Sequence, residues 1–208
     1  MTAAILDIGG LEPAGLPGAG SGAVFAFWAI FLIWVGGEVW LQQHRRLPPS
    51  ATNQDIGSMR LLIASVWTSV GIGLASSYVL TELSIGNGNE SLLEVGLALM
   101  VIGLALRWWA VAVLGSAFTV TVGVQSQQRL VAAGPYRWVR HPSYSGSLLT
   151  LVGVALVCAN WLALAALLLP LGAYSYRIHV EEIALSARFG DAYRDYHQST
   201  RRLVPWLF

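Results

Sequence analysis

The run LLEVGLALMVIGLALRWWAVAVL, from Leu92 to Leu114, sets the architecture. A helix that crosses the hydrocarbon core needs about 20 mostly apolar residues. Here only Glu94 near the start and Arg107 towards the end interrupt the apolar run. Similar runs lie near 22–41, 59–80, 143–159 and 161–179, so about five spans are expected. The last two are separated only by Ala159-Asn160-Trp161, which reads as a tight helical hairpin with Asn160 as the turn former. A continuous bent element is the alternative there. The expected fold class is all-α, a polytopic integral membrane protein in one domain over 22–208. Residues 1–21, with Gly and Pro but no arginine, read as a flexible leader without the basic start of a signal peptide.

Composition narrows the function classes. Of 208 residues, 12 are cationic, every one an arginine, and 11 are acidic; at 11% charged, the chain falls far below the level that coats a soluble domain. Mean hydropathy is +0.60. With 55% hydrophobic residues and a net charge of +1, disorder is excluded, and no basic excess exists to neutralise nucleic-acid phosphates. The single cysteine, Cys158, excludes a disulfide scaffold.

The arginines give orientation. Arg45, Arg46 and Arg60 lie in the connection 42–60; Arg129, Arg137 and Arg140 lie in 115–142; Arg188, Arg194, Arg201 and Arg202 lie in the tail. The 81–91 loop holds only Glu82 and Glu90. By the positive-inside rule the N-terminus is outside, and the arginine loops and C-terminus are cytoplasmic. Beyond the fifth span, Glu181 to Tyr196 is amphipathic and predicts a cytoplasmic helical extension, with Gly190 as an end or bend. Trp206 suits the membrane interface.

Charges at membrane depth need an explanation. Glu38, near the cytoplasmic end of the first span, can snorkel to the interface. Arg107 is either an interface anchor stacked on Trp108 and Trp109 or a site residue. The densest polar signal is QSQQRLVAAGPYRWVRHPSYSG, Gln125 to Gly146. Its Pro142 and Ser143 open the fourth span, so Arg140 and His141 are expected beside free amide groups at a helix N-terminus, which attract a carboxylate or phosphate. A basic loop binding lipid headgroups is the other reading of these residues. A second signal is Arg177-Ile178-His179-Val180-Glu181-Glu182. Arg177 and Glu181 share a helix face and predict an ion pair, while Glu182 points about 100° away. Both segments put His141, Tyr144, Arg177 and Glu181 at one membrane level, which predicts a pocket facing the cytoplasm. No metal is expected, because His44, His141, His179 and His197 are scattered. No Gly-x-Ser-x-Gly elbow supports a hydrolase.

The stretch Gly134-Pro135-Tyr136-Arg137-Trp138-Val139-Arg140-His141-Pro142-Ser143-Tyr144-Ser145-Gly146 resembles the signature of the isoprenylcysteine carboxyl methyltransferase family, which includes phospholipid methyltransferase relatives. Glu181-Glu182-Ile183-Ala184-Leu185, Phe189-Gly190, Tyr193, Tyr196 and Val204-Pro205 resemble the second half of its pattern, and the likeness covers about 107–205. The resemblance implies an integral membrane methyltransferase that uses S-adenosyl-L-methionine. It implies that Gln125, the stretch Gln128, Arg129, Leu130 and Val131, then Tyr136, His141, Pro142, Ser143, Tyr144 and Glu181 hold the cofactor. Arg177 matches the arginine that the family puts at the acceptor, so Arg177 and Glu181 are the expected catalytic pair. Gln128 departs from the histidine usual there. The implied partners are membrane lipids and a lipophilic or small-molecule acceptor entering from the membrane; carboxyl O-methylation is the implied reaction. A steroid-reductase-like enzyme using NADPH is the alternative, but Pro142-Ser143-Tyr144-Ser145-Gly146-Ser147 lacks the Asn and Glu usual in that group. A lipid-binding protein without catalysis is the third reading.

Overall fold

The computed structural model describes residues 21–48, 51–86, 90–124 and 130–204. Its helices are α1 (Ser21–His44), α2 (Ser58–Val79), α3 (Glu90–Leu114), α4 (Pro142–Cys158), α5 (Trp161–Ala166), α6 (Leu168–Phe189) and α7 (Asp191–Ser199). Four segments are long and apolar enough to cross a membrane: Gly22–His44, Ser58–Val79, Glu90–Ala117 and Trp161–Phe189. Pro142–Cys158 is a shorter apolar helix that completes the expected five. Phe25, Leu32, Val101 and Leu168 lie exposed on helix faces, a surface suited to lipid rather than water. The chain is a multi-pass integral membrane protein.

Close backbone approach holds α3 to α4. Gly96 and Gly103 on α3 face Gly153 and Gly146 on the antiparallel α4. A Cβ at Gly103 would stand 2.6 Å from the Gly146 carbonyl, and one at Gly146 2.6 Å from the Arg107 amide nitrogen. Between helices in lipid, small residues gain van der Waals contact where water supplies no hydrophobic drive. This seam brings the Arg107 side chain against the first turn of α4.

The turn after α4 forms as expected. Ala159 adopts a left-handed conformation (φ 43°), and the Asn160 side chain caps α5 by accepting from the Leu162 amide at 2.9 Å. Its amide group also donates to the carbonyls of Leu80 (2.9 Å) and Ser76 (3.3 Å), tying the hairpin to the end of α2. The break between α5 and α6 has a local cause: Pro170 has no N–H for the Ala166 carbonyl and its ring would crowd it, and α5 ends at Ala166. At the other end Gly190 (φ 52°) stops α6 and turns the chain into α7.

The connections that carry arginine meet at one end of the helices. Thr52–Asn53 pairs antiparallel with Gly123–Val124, and the Gln54 amide donates to the Val122 carbonyl at 3.0 Å. This short ribbon is the β structure of the otherwise helical described residues, apart from isolated bridges. Of the expected leader, residue 21 already belongs to α1, while residues 1–20 lie outside the described part of the chain, as does Trp206.

Candidate active site

The site is built on the segment between α3 and α4, the first turn of α4, and the last turns of α6. A 3-10 turn at Gly134–Arg137 buries Tyr136, after which the chain runs extended into α4. There the tail after α7 lies alongside it. The Arg140 amide donates to the Arg201 carbonyl (2.7 Å) and the His141 amide to that of Arg202 (3.1 Å). Tail carbonyls thus occupy the amides of the two residues that lead into α4. Arg140 also donates from its side chain to the carbonyls of Thr200 (2.6 Å) and His197 (3.0 Å).

Glu181 and Glu182 diverge as their helical spacing requires. Glu182 binds Arg140 at 3.0 Å and Arg202 at 2.9 Å, locking α6 to the tail. Glu181 turns towards α4 and accepts from the Tyr144 hydroxyl at 2.7 Å. His141 stands between them, with Nδ1 3.5 Å from Glu181 and Nε2 3.5 Å from Glu182. Burial alone would lower the affinity of the imidazole for a proton, but the two flanking carboxylates outweigh it and raise His141 above its ordinary value. Its ring stacks on Tyr144 with centroids 5.5 Å apart. Burial pushes the Tyr136 hydroxyl well up, with Glu181 adding to the shift, so it stays protonated at neutral pH.

Arg177 does not form the expected direct ion pair with Glu181. Its Nε donates to the Tyr144 hydroxyl at 2.9 Å, and that hydroxyl is the one that donates to Glu181. The other guanidinium nitrogens reach the Ser58 hydroxyl (3.1 Å) and the Val120 carbonyl (2.5 Å). Asp55 lies 3.6 Å away. Sequence reasoning missed Ser58 and Asp55, since no local pattern links Ser58 to an arginine 119 positions later.

Glu38 and Arg107 also correct the sequence reading. Glu38 does not snorkel: its carboxylate takes Arg107 Nε at 2.5 Å and Nη2 at 2.6 Å. The remaining Arg107 nitrogen donates to the Ser143 hydroxyl at 2.9 Å. A guanidinium so held is buried in the bundle and is no interface anchor.

Two cavities meet here. The first encloses about 860 Å³, its open mouth included. Leu130, Val131, Tyr136, His141, Ser143, Tyr144, Arg177 and Glu181 all line it, so the structure brings these expected residues together. Pro142 is buried as the first residue of α4 and contributes no lining. Gln125, Gln128 and Arg129 lie outside the described residues. Phe118, Val122 and Phe189 add apolar wall. The second cavity, about 940 Å³ with its open mouth included, lies among α1, α2, α4 and α6 and is walled by Trp34, Val35, Leu62, Ile63, Val66 and Trp67, with Glu38 and Arg107 also in its lining. Phe118, Thr119, Tyr144 and Arg177 belong to both linings.

The family match falls on the half of the chain that carries most of the site. Residues 96–187 match the family described as "Isoprenylcysteine carboxyl methyltransferase (ICMT) family". The "Probable protein-S-isoprenylcysteine O-methyltransferase" of Oryza sativa subsp. indica is 36% identical over 116 residues, which are 54% of this chain and 61% of that protein. The "Protein-S-isoprenylcysteine O-methyltransferase" of Tribolium castaneum is 34% identical over 117 residues, 55% of this chain and 42% of that protein. The chain thus spans less than two thirds of the length of these relatives. The solved structure of a eukaryotic intramembrane Ras methyltransferase ICMT superposes with a TM-score of 0.63 at 24% identity, covering 96% of this chain and 74% of that one, and shares its fold. The resemblance to this family is borne out, and the family match takes in the first motif segment and the start of the second.

Proposed function

We propose that this protein is an integral membrane methyltransferase that esterifies the carboxylate of a lipophilic, prenylcysteine-type acceptor, with S-adenosyl-L-methionine as methyl donor. One observation carries the reading: a polar, aromatic cavity and an apolar cavity share Tyr144 and Arg177 as a common wall. The first cavity fits the donor. It offers a carboxylate at Glu181 for hydroxyl and amino groups, an imidazole at His141, and aromatic faces at Phe118 and Tyr136 for a purine. Gln125, Gln128, Arg129, Leu130, Val131, Ser143 and Tyr144 complete the proposed cofactor set, together with Pro142, the first residue of α4.

When bound, the cofactor supplies an electrophilic methyl group: a carbon–oxygen bond forms as the carbon–sulfur bond breaks, and the electron pair returns to sulfur. The protein's own work is positional and electrostatic. A carboxylate acceptor is ionised at neutral pH, so no side chain has to take a proton. Arg177 meets that carboxylate at the shared wall, and Tyr144 couples its orientation to Glu181 in the cofactor cavity. The apolar walls on α1 and α2 take the acceptor's hydrocarbon, which reaches them sideways from the bilayer. With the arginine-bearing connections at the cavity end of the bundle, that end is cytoplasmic and the N-terminus is outside. The family match favours this reading over a reductase or a non-catalytic lipid binder.

The test uses the detergent-purified protein with labelled cofactor and N-acetyl-S-farnesyl-L-cysteine. Base-labile methyl ester should form. Glu181→Ala and His141→Ala should each abolish S-adenosylhomocysteine binding in titration calorimetry, and unchanged affinity in both would defeat the site assignment. Arg177→Lys should spare that binding yet lose turnover, because an ammonium cannot reproduce the planar fork.

A further inference from the structure

The connection from α1 to α2 carries no family motif, yet it reaches the centre of the site. Its turn is fixed locally: the Asp55 amide donates to Asn53 Oδ1 at 2.9 Å, and Gly57 takes a left-handed conformation (φ 86°). Asp55 Oδ1 then accepts from the Ser58 hydroxyl (2.8 Å) and the Met59 amide (3.4 Å), capping α2. The other carboxylate oxygen, Oδ2, lies 3.6 Å from Arg177 Nη1, and the Ser58 hydroxyl bridges the two by accepting from that nitrogen at 3.1 Å. Both side chains are almost fully buried, Arg177 3% and Asp55 7% exposed. Neither Asp55 nor Ser58 lines either cavity, whereas Arg177 lines both. Asp55 therefore meets the guanidinium from outside both cavities.

We propose that Asp55 is a positioning residue and counterion for Arg177, tempering its charge so that it orients the acceptor carboxylate without over-binding it. The inference rests on the carboxyl-methylation reading. Esterification discharges the carboxylate, so an ion pair to Arg177 is strongest before reaction and weaker in the transition state. Interactions of that kind tighten substrate binding and slow turnover. A fixed anion beside Arg177 reduces its pull in a low-dielectric setting, and the Ser58 bridge holds the plane of the guanidinium.

Asp55→Asn separates charge from architecture, because its amide oxygen can still accept from Ser58 and Met59. In the purified protein, the variant should bind N-acetyl-S-farnesyl-L-cysteine severalfold more tightly and turn it over about tenfold more slowly. S-adenosylhomocysteine affinity should stay within about twofold, and Asp55→Glu should move both acceptor affinity and kcat back towards wild type. Opposite movement of affinity and kcat is the signature, since a damaged fold weakens both. Asp55→Asn with wild-type kcat, or with acceptor affinity unchanged or weakened, would overturn the inference alone. A wild-type protein that binds the cofactor product but neither binds nor esterifies the farnesyl carboxylate would overturn the functional reading and this inference together.

Discussion

Tyr144 donates to Glu181 Oε2 at 2.7 Å while its oxygen accepts from Arg177 Nε at 2.9 Å. One hydroxyl thus joins a carboxylate in the cofactor cavity to a guanidinium at the acceptor wall. Tyr144→Phe removes the bridge, leaving the buried Arg177 short of a partner at a cost of about 1–3 kcal/mol and the partly exposed Glu181 without its hydroxyl donor. We expect S-adenosylhomocysteine affinity and kcat to fall by at least about tenfold. Calorimetry together with single-turnover methyl transfer checks this, and Tyr144→Phe at full activity would contradict the coupling.

The buried imidazole predicts a pH dependence. His141 is held above its ordinary pKa of about 6.5 by Glu181 and Glu182, against the opposing effect of burial. A raised folded-state pKa contributes stability that is complete below the unfolded value and is lost as pH rises through the folded value. The melting temperature of wild type relative to His141→Gln should therefore shrink on the alkaline side of about pH 6.5. A difference that stays constant as pH rises above that value would contradict the raised pKa of His141.

The pair Glu38–Arg107 joins the first span to the first turn of α4 through Ser143. Removing one partner leaves the other uncompensated, so Glu38→Leu or Arg107→Met alone should destabilise by about 3–5 kcal/mol. The double variant should recover much of that loss. Thermal melting of all four proteins in one detergent gives the coupling directly, and additive losses would show that the two side chains act independently.

The α3–α4 seam is equally specific. Gly103→Ala puts a methyl group 2.6 Å from the Gly146 carbonyl, where only backbone movement can make room. We expect a loss of about 1–3 kcal/mol, with Gly103→Val worse. Gly36→Ala on α1 meets nothing within 4 Å and is the control that should melt with wild type.

Hydropathy, helical period and turn chemistry act over a few residues, and they already specify much of this protein. The spans, the end of the bundle that carries the arginines, the hairpin at Asn160, the stop at Gly190 and the divergence of Glu181 from Glu182 all follow from them. Leu130, Val131, Tyr136, His141, Ser143 and Tyr144 were legible because they fall within one motif-bearing stretch. The partner that each buried charge takes was not legible in this way. Arg177 has a mate of opposite charge four residues away in Glu181, yet it reaches Tyr144 and Ser58 on other helices. Glu38 lies near the end of its span, within reach of the interface, yet it binds Arg107 across the bundle. At membrane depth a charge is stabilised by whichever complementary group the packing brings within hydrogen-bonding distance, and that choice depends on how distant helices pack rather than on any local pattern.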